Sequence, residues 1–232
     1  CGNVQRMVDG FGSLCYRLCM HTIGELNEHP LHAALKNWYA RPQDQVELAI
    51  DGGYVIDVVR DDLLIEIQTG NFSGIKTKLV TLVEHHPVRL VYPIASEKWL
   101  FKLPKGGWDG PRRRKSPKRG RVEEVFGELV SFPGLLRERN FSLEVVMIQE
   151  EEVRRYEGGK YWYKNGWVTV RRELLNVVEQ HVFEGPDDFT AFQPPEVPSE
   201  FTTADLANLL AMPRWLAQKM AYCLREMGTI SQ

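Results

Sequence analysis

Two adjacent apolar segments, each with one carboxylate inside it, constrain this chain more than any other feature. Residues 55–59 contain Asp57, and residues 63–68 contain Glu66. Both segments are rich in β-branched residues and a polar turn separates them, which predicts a β-hairpin. A carboxylate inside the run Leu-Leu-Ile-Glu-Ile is costly to bury unless something binds it. The hairpin is therefore the candidate functional site.

The length of the turn decides whether the two carboxylates meet. If the turn has two residues, Asp57 lies opposite Glu66, and opposed residues share a face with Cβ atoms about 4.5–5.5 Å apart. Gln68 follows Glu66 by two positions and points to the same face. A turn of one or three residues would place Asp57 and Glu66 on opposite faces. In the first arrangement the like charges repel, and a hard divalent cation with oxygen ligands relieves that repulsion.

This hairpin and the elements after it resemble the PD-(D/E)xK nuclease superfamily. Its signature is an Asp, then a strand with Glu-x-Lys, then a helix and another strand, and the resemblance covers residues 28–94. Asp57 matches the Asp, Glu66 matches the Glu, and Gln68 stands where the superfamily usually has Lys. The wider region 31–72 also resembles an uncharacterised bacterial family usually placed in that superfamily. The resemblance implies an α/β fold of the restriction-endonuclease-like type, with a mixed central sheet flanked by helices.

The resemblance further implies metal-dependent hydrolysis of phosphodiester bonds in DNA, with RNA as an alternative substrate. Asp57 and Glu66 would hold Mg²⁺ or Mn²⁺, and the metal would lower the pKa of the attacking water. Gln68 would position water or phosphate, because an amide can hydrogen-bond but carries no charge. Lys78, on the next predicted helix, is a candidate substitute for the absent lysine, and its alternative is a solvated helix charge. Glu28 is a candidate third ligand, and its alternative is an ordinary charge near a helix N-terminus.

A Gly/Pro-rich basic segment, residues 104–121, predicts a loop that follows a phosphate backbone, with Trp108 stacking on a base. The alternative is a solvated loop. The basic candidates for nucleic-acid contact are Arg112, Arg113, Arg114, Lys115, Lys118 and Arg119.

The C-terminal segment resembles the helical half of a winged helix. Residues 184–200 predict a linker, and residues 201–232 predict a helix-turn-helix-like module in which Arg214 and Lys219 begin the recognition helix. The alternative is a helical hairpin that docks on the main domain or on the second subunit of a homodimer.

Periodicity and turn residues predict the remaining elements. A strand, a helix and a strand at 63–68, 73–86 and 88–94 form a βαβ unit with parallel strands. Three acidic residues at 150–152 are expected at a solvated strand end, and Asn165-Gly166 predicts a hairpin turn. Further helices are expected at 30–40, 122–130 and 173–183, and further strands at 46–50, 98–103 and 141–148.

Composition adds few constraints. The net charge of −2 gives no overall attraction to nucleic acid, and no apolar run is long enough to suggest a transmembrane helix. The 4 cysteines do not suggest a disulfide framework, which favours a reducing cytoplasm. Residues 1–19 are expected to be an extension, with the nuclease-like domain at 20–183. Two other functions remain open: a catalytically inactive DNA-binding protein of the same fold, and a structural protein that oligomerises.

Overall fold

The computed structural model of the chain describes residues 29–50, 52–105, 110–159, 165–193 and 198–231. Among these residues seven strands form one mixed sheet. The strands are β1 (Gln45–Ala49), β2 (Val55–Arg60), β3 (Leu63–Ile67), β4 (Val88–Lys102), β5 (Arg112–Lys115), β6 (Phe141–Tyr156) and β7 (Trp167–Phe183). Their order in the sheet is β1-β2-β3-β4-β6-β7, with β5 paired to β4, which confirms the expected mixed α/β architecture.

Helices cover the sheet. The first, α1 (Pro30–Tyr39), has proline in its first turn and buries Leu31 and Leu35, four residues apart, against one face. A 3-10 turn, Phe72–Ile75, leads into α2 (Lys76–Val83), and another, Val122–Val125, leads into α3 (Phe126–Leu129). On the face of the sheet that α1 covers, these two leucines form a small core with Val58, Ile65 and Ile67. The other side forms the larger core with α2, α3 and the C-terminal helices.

The hairpin and the βαβ unit have the predicted pairing. Arg60 pairs with Leu63 across a two-residue turn, and β2 and β3 are antiparallel. Asp61 has a φ of 53° in that turn, a conformation that Asp tolerates better than most residues. The strands β3 and β4 are parallel, with Glu66 opposite Leu90. These pairings place Glu66 in the interior of the sheet.

The helix expected at 173–183 is wrong, because this segment belongs to the 17-residue strand β7. Three register shifts interrupt its pairing with β6. Two of them skip Leu175 and Val178, which are exposed, while Leu174 and Val177 pack against the small core. Such bulges replace the strict alternation of a strand with a spacing of three. That spacing is typical of a helix, which explains why the hydrophobic pattern of residues 173–183 predicted a helix instead of a strand.

The acidic run at 150–152 is not at a solvated strand end. Strand β6 continues to Tyr156 with β4 on one side and β7 on the other. Glu150 is fully buried and lies between Lys98 of β4, at 2.8 Å, and Arg172 of β7, at 2.6 Å. Hydrogen bonds from Arg154 and Thr169, together with Lys98, outweigh burial and lower the pKa of Glu152 to about 2. The central strand therefore contains carboxylates because cations from both neighbouring strands meet them.

Two further predictions need correction. Residues 98–102 continue β4 and are not a separate edge strand, and the predicted loop 104–121 contains β5, which pairs with β4. The turn at Asn165-Gly166 has φ values of 51° and 77° and leads into β7, which pairs with β6. The partner strand predicted at 160–164 lies outside the described residues, as does Trp108.

The C-terminal helices pack on the larger core. Thr202 caps α4 (Thr203–Leu209) by accepting from the N–H groups of Ala204 and Asp205. The second helix, α5 (Arg214–Met227), ends at Gly228 with a φ of 83°. Its buried residues, such as Met220, share one core with Phe126 and with Phe189. Phe189 lies in a 3-10 helix, Pro186–Phe192, within the segment predicted as a linker. No helix in the described ranges is long and apolar enough to cross a membrane.

Candidate active site

Strands β2 and β3 stop pairing where the two carboxylates lie. Their paired positions run from Arg60–Leu63 to Val58–Ile65, and the same register continued by one step puts Asp57 opposite Glu66. Beyond the last pair, Oδ2 of Asp57 accepts the backbone N–H of Ile67 at 2.8 Å. A side chain thus replaces a backbone carbonyl as the partner of β3. The carboxylate of Asp57 is held in the junction between the strands.

Strand β1, which pairs with β2, has a strained backbone conformation beside Asp57. Glu47 of β1 has a φ of 54°, between the pairs Val46–Val58 and Leu48–Ile56. Its carboxylate forms an ion pair with Lys36 of α1, whose side chain is buried. A non-glycine residue with a positive φ costs free energy, and such residues cluster at functional sites. The strained residue, Glu47, therefore lies opposite Asp57 in the pairing of β1 with β2.

Glu66 is the buried carboxylate of the pair. The residue is 8% exposed, and Nζ of Lys78 lies 2.6 Å from its Oε1. Within the described part of the chain its other oxygen, Oε2, is buried and has no hydrogen-bond partner. Burial raises the pKa of Glu66, the charge of Asp57 raises it further, and Lys78 and His32 oppose that rise. The net shift is upward, so this carboxyl lacks part of the positive charge that its ionised form needs.

Two basic residues reach the carboxylates from different helices. Nε2 of His32, on α1, lies 3.1 Å from Oδ2 of Asp57. Lys78, on α2, also donates to the backbone oxygen of Val55 at 2.7 Å, which fixes its ammonium between β2 and Glu66. The alternative for Lys78, a solvated helix charge, is therefore wrong. The structure thus groups Asp57, Glu66, Lys78 and His32.

His32 was not among the residues that the sequence pattern predicted for the site. It lies on the helix that precedes the hairpin, four residues before Lys36 and thus on the same helix face. Both residues pair with carboxylates of the first two strands. Polar residues at this spacing on an otherwise apolar helix face are the signal that could have found them. Glu28, the candidate third ligand, lies outside the described residues.

Gln68 does not join this group. Its Nε2 donates to the backbone oxygen of Asn71, and its Oε1 accepts from the N–H of Gly70, both at 3.3 Å. The amide thereby closes the loop after β3. Gln68 was expected to lie beside Glu66 and to position water or phosphate there. That place beside Glu66 is occupied by Lys78.

The basic residues that were predicted to contact nucleic acid lie in several separate parts of the structure. Arg113 pairs with Glu151, Lys115 and Arg119 both pair with Glu97, and Lys118 pairs with Glu124. Arg112 and Arg114 line a separate cavity. Arg214 is exposed at the start of α5.

Two of these cations meet in a second cavity of about 340 Å³ between β4 and α5. Lys118 and Lys219 line it together with Arg172, and the Nζ of Lys219 donates to Gly127 O at 2.6 Å. Arg172 also donates to the backbone oxygen of Thr69, in the loop after β3. The cavity thus adjoins the loop that follows the carboxylate strand.

Comparison with known proteins adds a family but no activity. A family described as a domain of unknown function, DUF8091, matches residues 29–184. An uncharacterised protein of Treponema pallidum (strain Nichols) is 30% identical over 191 residues, which cover 81% of this chain and 74% of that protein. No solved structure matches the chain. The match to residues 29–184 includes the carboxylate pair and all seven described strands of the sheet, and the chain belongs to the DUF8091 family.

Proposed function

We propose that this protein is a metal-dependent nuclease that hydrolyses phosphodiester bonds in DNA, with Asp57 and Glu66 as ligands of Mg²⁺ or Mn²⁺. One observation carries the proposal: Glu66 is buried beside Asp57, and its Oε2 has no partner among the described residues. A buried oxygen without a partner costs about 1–3 kcal/mol, and more if it is charged. Functional sites are where such costs are tolerated.

The donor set fits a hard divalent cation. Asp57 and Glu66 supply carboxylate oxygens, which Mg²⁺ prefers, and Mg²⁺ needs few protein ligands because it keeps several waters. Within the described ranges no cluster of three or more His, Cys, Asp or Glu residues forms a metal cage. A site of two carboxylates completed by water and phosphate needs no such cage. A bound ion would polarise the phosphate and lower the pKa of the attacking water.

The protein's own residues would do the rest of the work. The Ile67 N–H and His32 orient the carboxylate of Asp57 before any ligand arrives. Lys78 lies against Glu66, where its ammonium can stabilise negative charge on the phosphate or hold the attacking water. This assignment gives Lys78 the role usually taken by the lysine of the PD-(D/E)xK signature. Gln68 then keeps the loop after β3 in place.

Cleavage of supercoiled and linear DNA tests the proposal. Asp57→Asn and Glu66→Gln keep the shape of each side chain and should abolish cleavage that depends on Mg²⁺ or Mn²⁺. Glu173→Gln, in the exposed ion pair with Arg171 on β7, is the matched control and should cleave like the unmodified protein. Cleavage that persists in Asp57→Asn and in Glu66→Gln would overturn the assignment.

A second variant separates binding from chemistry. Lys78→Met should slow cleavage by about a hundredfold or more, the typical contribution of a positioned acid, base or charge. Metal affinity should stay the same or rise, because Met removes the ammonium that competes for Glu66. Loss of both properties together would mean that Lys78 only maintains the structure of the site.

The engaged amide of Gln68 favours a second candidate, a DNA-binding protein of the same fold without catalytic activity. It would bind DNA in a salt-sensitive way. Asp57→Asn and Glu66→Gln would not change that binding, and no cleavage would accompany it.

A further inference from the structure

A cavity of about 480 Å³ lies at the far end of β4 from the carboxylate pair. Its cationic side chains are Lys102, Lys105, Arg112 and Arg114, and Trp167 forms part of its wall. None of the lining residues that the structure describes is acidic. Glu66 pairs with Leu90, and Lys102 is twelve residues further along β4. At about 3.3 Å per residue, the two places are up to about 40 Å apart.

Strand alternation produces this concentration of positive charge. Successive side chains of a strand point to opposite faces. On one face of β5, Arg113 and Lys115 meet Glu151 and Glu97 and lie over the ring of Trp99. On the other face, Arg112 and Arg114 line the cavity. The four basic residues of β5 are thus divided between a face that meets Glu97 and Glu151 and a face that lines the cavity.

Three of the cavity's four cations lack a nearby carboxylate among the described residues. In the ranges that the structure covers, no carboxylate lies within ion-pair distance of Lys102, Lys105 or Arg114. Nζ of Lys102 lies 4.3 Å from the ring centre of Trp167, and Nζ of Lys105 lies 3.8 Å from that of Tyr156. Burial lowers the pKa of Lys102, and the nearby charges of Arg114, Arg154, Lys105 and Arg112 lower it further. A multiply charged anion would relieve this repulsion.

We propose that this cavity is a binding site for a compact polyphosphate, the triphosphate of a nucleotide being the chemical class that fits. Its volume lies in the range of small-ligand sites, about 300–1,000 Å³. Four cationic side chains line this one cavity, three of them without a carboxylate partner among the described residues, and anhydride-linked phosphates place several negative charges in such a space. A nucleic-acid strand carries one charge per phosphodiester along its length. The rings of Trp167 and Tyr156 at this end of the sheet offer an aromatic surface for a base.

Calorimetric titration with sodium tripolyphosphate and with adenosine triphosphate tests the site. The titrations use the full chain at low salt with EDTA present, so that no metal ion contributes. Arg114→Gln and Lys105→Gln should each weaken tripolyphosphate binding by about tenfold, because each removes a charged interaction. Lys115→Gln changes the same charge on the opposite face of β5 and should alter the affinity by less than about twofold. Because Lys105 lies outside the strands, Lys105→Gln keeps the test valid if Arg114→Gln does not fold.

Three results would overturn the proposal. The first is no binding of tripolyphosphate at low salt. The second is equal weakening by Lys115→Gln and Arg114→Gln, which would indicate a diffuse electrostatic field. The third is binding of a single-stranded oligonucleotide that tripolyphosphate does not displace, which would assign the cavity to nucleic acid. Asp57→Asn and Glu66→Gln should bind tripolyphosphate like the unmodified protein, so failure of the nuclease proposal leaves this one standing.

Discussion

At the scale of single residues, the candidate site depends on two carboxylates with different environments. Asp57 is oriented by a backbone N–H and by His32, whereas Glu66 has an oxygen without a partner among the described residues. The sequence predicted that the carboxylates share a face only if the turn has two residues, and the structure has that turn. The roles of His32 and Gln68 were not predictable in the same way. For His32 the sequence offers only its spacing from Lys36 on an apolar helix face, and both roles depend on how a helix crosses the sheet and on how one loop closes.

The raised pKa of Glu66 predicts a pH dependence of stability. Because the folded protein binds this proton more tightly than the unfolded chain, the free energy of unfolding falls as pH rises from the ordinary pKa of Glu, about 4.5, towards the raised value. Glu66→Gln removes this contribution. Urea unfolding from pH 4.5 to 8 in EDTA should therefore show a steeper loss of stability for the unmodified protein than for Glu66→Gln. Parallel pH profiles would show that Glu66 titrates normally.

At the scale of elements, regular strands and capped helices were predictable, and irregular ones were not. Thr202 caps the start of α4 and Gly228 the end of α5, as the capping preferences of Thr and Gly predict. Strand β7 was not recognised because its bulges hide the alternation. The burial of Glu150 could not be read locally either. It follows from the pairing of β6 with strands that lie far away in the sequence.

The turn between α4 and α5 offers a test of backbone strain. Ala211 has a φ of 47°, in the left-handed region that favours glycine. Ala211→Gly should therefore raise the free energy of unfolding by up to about 1 kcal/mol. Ala221→Gly, inside α5, should lower it by about 1 kcal/mol. Urea unfolding measures both changes, and a loss of stability in Ala211→Gly would contradict the strained turn.

The buried ion cluster of β6 should be sensitive to removal of its central charge. Glu150→Ala leaves Lys98 and Arg172 without their shared partner and should cost about 3 kcal/mol. Glu173→Ala, which removes an exposed partner of Arg171, should cost less than about 1 kcal/mol. Similar free energies of unfolding for the two variants would show that Glu150 is not a structural charge.

At the scale of the whole molecule, the C-terminal helices and the sheet bury side chains in one core. The sequence predicted these helices from their caps and spacing. It did not predict how they pack, because the contacts join residues about ninety positions apart, such as Lys219 and Gly127. Proteins with one shared core usually unfold in a single transition.

Because they share this core, the C-terminal helices and the sheet should unfold together. Met220→Ala in α5 and Leu143→Ala in β6 each create a cavity and should cost about 2–5 kcal/mol. Both should lower the midpoint of the same transition, observed alike by tryptophan fluorescence and by circular dichroism. A separate transition that only Met220→Ala affects would show that the C-terminal helices fold independently.

Calorimetric titration of Mn²⁺ tests whether Asp57 and Glu66 form a site for a divalent cation. We expect one binding site per chain, with an affinity that increases as pH rises because the metal binds the ionised form of Glu66. Glu66→Gln should lose this binding, and Glu173→Gln should retain it. Equal binding by Glu66→Gln and the unmodified protein would show that Glu66 is not a ligand of the metal.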